Sequence, residues 1–350
     1  MAHLLDQIYQ LLTTGHPLVL ATVIRHSGST PRGAGAKMII RKDGSILGTI
    51  GGGSVEAAVI RSAVELFESG SALIRPFNFN STDVASSMGM ICGGEMTVLL
   101  ERLDPADSDT LDVFGKLLSQ LRSKGKSLLV KVLSTNSIHR EGIPSCFVAD
   151  VDSLPENLPV NAKKLEDLIK TAFTERKLTV DTSGDRMLLV DPFFSSDSVY
   201  LFGAGHVSQK LAGVLGMVDF RTVVIDDRIE FANRALFPAT DEIVVPESFA
   251  AAFSNLSISR RDALVILTRG HAHDQTVLEQ ALKTDAGYIG MIGSRKKRDT
   301  IYDNLEKKGV SREKLLQVHC PIGIDIGART PEEIAVCIAA QLIAYRADRV

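Results

Sequence analysis

The stretch Ser198-Val199-Tyr200-Leu201-Phe202-Gly203-Ala204-Gly205-His206-Val207-Ser208 decides the fold of the C-terminal part of the chain. An apolar, strand-like run leads into a glycine turn that opens an apolar helix. Gly203 permits the tight turn, and Gly205 lets a pyrophosphate approach the backbone N–H groups at the positive end of the helix. Asp226 follows the next strand-like run, where a carboxylate would accept both ribose hydroxyls. The pattern predicts a Rossmann-type domain with a dinucleotide site, or one that has lost its dinucleotide.

The rest of the C-terminal part fits this prediction. Apolar strand-like runs alternate with helical segments, which predicts an α/β, doubly wound parallel sheet over residues 193–350. Residues 1–192 are predicted to form a mixed α/β domain, with glycine-rich ligand loops in 1–105 and a middle region, 106–192, without such a loop. The final helix has three start signals: Thr330 as N-cap, Pro331 at the first helical position and Glu333 at the capping-box position.

Polar residues lie in the loops after several of the predicted parallel strands, and these loops lie at the same sheet edge as the glycine turn. His206, His271, His273 and Asp274 are therefore candidate acid/base groups, and the last three are candidate metal ligands. The alternative is that His273 and Asp274 only cap the following helix. Gly293, Ser294 and Arg295 at this edge are candidates for an anion site. Lys296, Lys297 and Arg298 belong either to that site or to a solvated face, and Asp325 is a further candidate.

Three segments of the N-terminal part, 26–36, 48–56 and 89–95, hold more glycine than tight turns need. This excess indicates that backbone approaches a ligand closely. Cys92 lies in the third segment and is either an accessible thiolate or a small buried hydrophobe. The candidate ligand-binding residues are Gly28, Ser29, Thr30, Arg32, Gly33, Gly51, Gly52, Gly53, Glu56, Gly93 and Gly94.

Composition excludes several classes of protein. The 350 residues carry 39 basic and 42 acidic side chains, a net charge of −3, so neither nucleic acid nor an anionic membrane is an expected partner. No apolar run is long enough to span a bilayer. The four cysteines include no CxxC pair, which argues against a disulfide scaffold or a structural zinc site. The first helix lacks signal-peptide features, so we expect a cytoplasmic protein.

The motifs together resemble the XdhC/CoxI family, the xanthine dehydrogenase accessory factors. The resemblance rests on GSTPRGAGAKM, GTIGGGSVE, MICGGE, LFGAGHVSQKLA, VVIDDR, TRGHAHD, GMIGSRKKR and PIGIDIGARTPEEIAVCIAAQ, in that order from about residue 15 to 345. It implies an N-terminal XdhC/CoxI domain followed by a Rossmann domain. The family's GSTPRG, GGG and CGG correspond here to 28–33, 51–53 and 92–94.

The resemblance also implies a function. Such proteins bind molybdenum cofactor (molybdopterin), favour its sulfurated form and support its insertion into molybdenum hydroxylases such as xanthine dehydrogenase. We therefore expect a cofactor-binding chaperone rather than a turnover enzyme, with Cys92 as a ligand of the cofactor or of its sulfur. The expected partners are a molybdenum hydroxylase client, a cysteine desulfurase and a second copy of the chain.

Two other functions stay open on the residues alone. One is an NAD(P)-dependent oxidoreductase that uses the Rossmann domain for NAD(P) or another nucleotide. The other is a metal-dependent enzyme built on the RGHAHD loop, with His271 and His273 as ligands.

Overall fold

The structure is a computed structural model that describes residues 2–69, 72–79, 94–134, 145–149, 161–183 and 186–347. The chain divides into two compact units, residues 1–195 and 196–350. The predicted boundary after residue 192 falls inside Arg186–Phe194, the last strand of the first unit.

The described residues of the first unit form two antiparallel sheets. Its strands are β1 Leu18–Gly28, β2 Lys37–Arg41, β3 Ile46–Gly48, β4 Ala72–Asn78, β5 Gly94–Leu103, β6 Lys126–Ser134, β7 Ser145–Ala149, β8 Thr179–Ser183 and β9 Arg186–Phe194. The first sheet has the order β3-β2-β1-β5-β4 and the second β7-β6-β9-β8. The helices described in this unit are α1 Ala2–Thr13, α2 Gly53–Ser69, α3 Ser108–Lys124 and α4 Ala162–Glu175.

The two sheets pack face to face, with a helix on each outer face. Alternate residues of β1 point to opposite sides of the first sheet, as strand geometry requires. Val19 and Val23 pack on the side of α2, whereas Leu18 and Leu20 pack on the side of Leu129 of the second sheet. The outer face of the second sheet is covered by α4. The middle region of the sequence thus supplies half of this four-layer core.

In the described part of the first unit, two ion pairs lie buried between the sheets. Lys37 Nζ on β2 lies 2.7 Å from a carboxylate oxygen of Asp191 on β9, and both side chains are at most 6% exposed. Lys131 on β6 pairs in the same way with Glu101 on β5. Each pair joins one sheet to the other. Because an isolated buried charge is very unfavourable, each partner requires the other.

The second unit is a doubly wound parallel sheet, as predicted. Its strands are β10 Ser198–Phe202, β11 Arg221–Ile225, β12 Glu242–Val244, β13 Ala263–Ile266 and β14 Tyr288–Met291, and its described helices are α5 His206–Met217, α6 His271–Ala281, α7 Arg295–Lys307, α8 Arg312–Leu316 and α9 Pro331–Ala347. The order β12-β11-β10-β13-β14, parallel throughout, corresponds to the Rossmann order 3-2-1-4-5. Apolar clusters cover both faces of the sheet.

Helix α9 begins as the sequence predicts. The Glu333 N–H donates to Thr330 Oγ1 at 3.2 Å, and the Thr330 N–H donates to a Glu333 carboxylate oxygen at 3.1 Å. This reciprocal pair is a capping box, and Pro331 occupies the first helical position. Among the helices in the described ranges, none combines the length and the apolar character needed to cross a bilayer.

Candidate functional site

The candidate site of the second unit lies where its strand order reverses. Strands β10 and β13 are adjacent, but their chain connections run in opposite directions across the sheet. In open α/β sheets, ligands bind at the carboxyl ends of the strands at such a switch point. The loops that follow these strands lead into α5 and α6. This edge is where the sequence predicts a dinucleotide.

The two glycines of the 203–206 turn have different roles. Gly203 has φ +109°, and a Cβ there would lie 2.3 Å from the carbonyl oxygen of Leu267 on the neighbouring loop. The fold itself therefore requires Gly203. Gly205 has φ −73°, and a Cβ there would meet no atom within 4 Å. The fold does not require Gly205, so its missing side chain leaves room for a group outside the chain.

Helices α5 and α6 both start without a side-chain cap. Their N-cap residues are Gly205 and Gly270, and neither can accept a hydrogen bond through a side chain. The first N–H groups of a helix lack partners within the helix, and the helix dipole makes that end positive. Two such ends follow neighbouring strands. The edge is suited to an anionic group such as a pyrophosphate.

Asp226, the predicted ribose ligand, is already fully hydrogen-bonded within the protein. One oxygen accepts the Ala204 N–H at 2.9 Å and an Nη2–H of Arg228 at 3.1 Å. The other accepts the backbone N–H of Arg228 at 3.1 Å and its Nε–H at 2.9 Å. The side chain is 1% exposed. Four donors fill the roughly four acceptor positions of a carboxylate. In this structure Asp226 fixes the glycine turn.

Asp227 and Arg269 form a second pair beside Asp226. The guanidinium of Arg269 donates two hydrogen bonds to the Asp227 carboxylate. These bonds hold the pKa of Asp227 below its ordinary value, and the same hydrogen bonds raise the pKa of Arg269. The edge therefore carries two aspartate–arginine pairs rather than one free carboxylate.

The RGHAHD loop places its three candidate residues in the first turn of α6. His271 is exposed, and His273 is half-buried, with its ring 5.2 Å from the ring of Phe249. Asp274 is fully buried, accepts a hydrogen bond from Thr268 Oγ1 at 2.7 Å and pairs with Lys297. Within the described ranges, no three His, Cys, Asp or Glu side chains are grouped so that they could hold a metal ion.

Lys297 belongs to the interior of this edge rather than to a solvated face. It reaches back from α7 to Asp274, and its Nζ donates to the carbonyl oxygen of Ile292 at 3.1 Å. Ser294 caps the same helix by accepting from the Lys297 N–H. Three of the remaining candidates in the second unit are exposed: His206, which is the first residue of α5, Arg295 and Asp325. The Asp325 carboxylate accepts a hydrogen bond from the Gly327 N–H at 3.3 Å.

In the first unit, two of the glycine-rich segments and the start of β5 meet at one end of the first sheet. A Cβ on Gly51 would lie 2.5 Å from Cβ of Pro31, which brings the 51–53 turn against the 28–33 loop. A Cβ on Gly94 would lie 2.8 Å from the carbonyl oxygen of Ser29. Gly94 also pairs with Gly28 across strands β1 and β5. The 28–33 loop therefore touches both the 51–53 turn and the start of β5.

Glu56 shapes the turn before α2. One of its carboxylate oxygens accepts the Thr49 hydroxyl, the Ile50 N–H at 3.1 Å and the Gly52 N–H at 2.9 Å. Burial raises the pKa of Glu56, but these hydrogen bonds outweigh it and hold the pKa below its ordinary value. Glu56, a predicted ligand residue, thus holds the turn through this oxygen. The consecutive positive φ angles of 133°, 77° and 62° explain the glycines at 51–53.

Two of the predicted residues, Cys92 and Gly93, lie outside the described residues. Cys320 and Cys337, in the second unit, are free and buried. Burial raises the pKa of Cys320 to about 11. The Cys320 thiol is therefore a poor nucleophile at neutral pH.

Sequence reasoning did not assign a role to Arg228, Asp227 or Arg269. The signal was present, because Asp226-Asp227-Arg228 ends a strand and Arg269 follows another strand at the same edge. Two acids and two bases gathered at one sheet edge indicate paired side chains rather than one free acid.

Comparison with known proteins identifies both parts of the chain. A profile of the XdhC Rossmann domain matches residues 199–342, and a profile of the XdhC and CoxI family matches residues 11–77. A crystal structure of a xanthine dehydrogenase from Bacillus halodurans is similar, with a TM-score of 0.80 and 26% identity, over 99% of this chain and 96% of that one.

Two relatives match along nearly the whole chain. A protein of Bacillus subtilis (strain 168), described as a probable subunit of xanthine dehydrogenase, is 27% identical over 340 residues, 96% of this chain and 95% of the relative. The molybdenum cofactor insertion chaperone PaoD of Escherichia coli (strain K12) is 21% identical over 340 residues, 96% of this chain and 86% of the relative. With its glycine loops in the first unit and a Rossmann sheet in the second, the chain belongs to the XdhC and CoxI family.

Proposed function

We propose that the chain is a maturation factor that binds molybdenum cofactor and supports its sulfuration or insertion into a molybdenum hydroxylase of the xanthine dehydrogenase type. The names of two relatives, a probable subunit of xanthine dehydrogenase and a molybdenum cofactor insertion chaperone, support this role. The structural observation that carries it is the meeting of the glycine loops at one end of the first sheet.

The residues at this end of the first sheet fit such a cargo. Molybdenum cofactor presents a phosphate, a flat pterin and a dithiolene that holds the metal. Gly52 has open space where a side chain would be, so a flat group meets no Cβ there. Helix α2 starts at Gly53, and the first N–H groups of a helix, which lack partners within the helix, suit a phosphate. We assign residues 28–33, 51–53 and 93–94 to the cargo, with the Cys92 sulfur as the soft ligand suited to molybdenum or to a transferred sulfur atom.

For the second unit we propose an adenine nucleotide as ligand, because Gly205 leaves space beside two uncapped helix starts. A nicotinamide-dependent oxidoreductase is the second candidate function, favoured by the same Rossmann edge. It would change nicotinamide absorbance with some substrate, whereas a maturation factor would not. A cysteine desulfurase and a second copy of the chain are further proposed partners.

Replacing Cys92 with alanine is expected to leave the fold intact and to remove bound cofactor. The chain is produced in a bacterium that makes molybdenum cofactor, and the pterin released from the purified protein is measured by fluorescence after oxidation. Wild-type protein is expected to release pterin, and Cys92→Ala is expected to release little. Cys337→Ala is the matched control, because Cys337 is buried in the second unit.

The reactivity of the Cys92 thiol is measured on the same purified wild-type protein. Iodoacetamide is expected to modify Cys92 before Cys320 and Cys337, because burial protects the latter two. Peptide mass spectrometry at successive times measures the order. Wild-type pterin content in Cys92→Ala would show that Cys92 is ordinary packing, and no pterin in any purified form would contradict the proposed function.

A further inference from the structure

The edge of the second sheet presents hydrogen-bond donors where a ribose would need an acceptor. A Rossmann site for an unphosphorylated ribose offers a carboxylate to the two hydroxyls, whereas a nearby arginine accommodates a 2′-phosphate. Here all four acceptor positions of Asp226 are taken by Ala204 and Arg228. A ribose hydroxyl could donate to Asp226 only after one of these donors had left.

The guanidinium groups are the exposed members of the two ion pairs. The side chain of Arg228 is 26% exposed and that of Arg269 is 37% exposed, against 1% for Asp226 and 12% for Asp227. A guanidinium has five N–H donors, and Arg228 directs two of them to Asp226. The remaining donors suit an acceptor-rich group, and a phosphate monoester is the matching chemistry.

The geometry of Arg228 is fixed before any ligand arrives. The bidentate contact with Asp226 holds one edge of its guanidinium, and the ring of Phe231 lies 4.0 Å from the guanidinium carbon. A planar group held in this way loses little conformational freedom when it binds a phosphate. Pairing with Asp226 cancels the net charge of Arg228 but leaves N–H groups of its guanidinium available to a phosphate.

We infer that the second unit selects a dinucleotide with a phosphate on its adenosine ribose, NADP rather than NAD, and that Arg228 is the specificity-determining residue, with Arg269 beside it. This inference rests on the nucleotide role proposed above for the second unit. The uncapped N-termini of α5 and α6 would bind the pyrophosphate, and the side chains of Arg228 and Arg269 would bind the additional phosphate.

Calorimetric titration of the full chain with NADP and with NAD tests the inference. NADP is expected to bind about tenfold more tightly or better, because one hydrogen bond to a charged group accounts for a difference of that size. Arg228→Gln is expected to remove this preference. Arg228→Lys keeps a cation beside Asp226 but lacks the planar fork, so it is expected to fold and to lose most of the preference.

A matched control is Arg312→Gln, which removes an arginine paired with Glu306 on α7, and it should keep the preference. Thermal unfolding of each variant checks that it is folded. Equal affinity for NADP and NAD in the wild type would overturn the inference and leave the nucleotide role standing. Binding of neither would overturn both. A preference unchanged in folded Arg228→Gln and Arg228→Lys would overturn the role of Arg228.

Discussion

Replacing Lys131 with methionine is expected to lower the free energy of unfolding of the first unit by about 3–5 kcal/mol, because it leaves the Glu101 carboxylate charged and unpaired between two sheets. Both side chains of the pair are at most 6% exposed, so water cannot replace the lost ammonium. Denaturation in urea, followed by circular dichroism, measures the change.

Two further variants test whether the loss of stability comes from breaking the buried ion pair or from replacing a lysine side chain. Lys131→Met combined with Glu101→Leu removes both charges and is expected to restore most of the lost stability, since apolar residues can replace a buried pair. Lys164→Met breaks a partly exposed pair with Asp181 and is expected to cost no more than about 1 kcal/mol. A single Lys131→Met variant as stable as the wild type would show that the buried pair contributes nothing.

Gly203→Ala is expected to destabilise the second unit by roughly 3 kcal/mol or more, from backbone strain at a positive φ together with overpacking. Its Cβ would collide with the Leu267 carbonyl oxygen at 2.3 Å, and neither backbone can move without breaking the pairing of β10 with β13. Thermal unfolding monitored by circular dichroism measures this loss.

Gly205→Ala is the matched variant, because its Cβ would enter open space at a φ that alanine adopts readily. It is expected to unfold like the wild type, within about 0.5 kcal/mol, and to bind NADP more weakly. Wild-type thermal stability in Gly203→Ala would contradict the account of this turn. Wild-type NADP affinity in Gly205→Ala would show that no ligand approaches there.

The second unit was predictable because its signals are local. The turn at Gly203, the acid at Asp226 and the capping box of Thr330 and Glu333 each lie within one short stretch of sequence. Apolar strands alternating with helices leave few topologies besides a parallel sheet. What the sequence did not reveal is that Asp226 is already saturated, because that depends on the side chain of Arg228 folding back onto it.

The four-layer core of the first unit was not predictable, because its contacts join distant parts of the chain. Strand β1 pairs with β5, about 75 residues away, and the second sheet comes from the middle region. Lys131 is a single charge within the apolar run of β6, whereas Glu101 in β5 has Arg102 next to it. A single charge in an apolar strand was the available signal for a buried partner, but the sequence could not say which partner.

The proposed maturation of a molybdenum hydroxylase depends on the first unit of the chain. Glu56→Ala removes the oxygen that holds the Thr49 hydroxyl and two N–H groups of the 50–52 turn, and so should disorganise the proposed cofactor loop. Glu65→Ala removes an exposed glutamate from the same helix and serves as the control.

The decisive measurement is the specific activity and molybdenum content of a xanthine dehydrogenase-type enzyme, produced alone and together with wild-type chain, Glu56→Ala or Glu65→Ala. We expect an active, molybdenum-loaded enzyme with the wild type and with Glu65→Ala. With Glu56→Ala we expect only the activity and molybdenum content reached without the chain. An enzyme equally active and equally loaded with and without the wild-type chain would contradict the proposed maturation role.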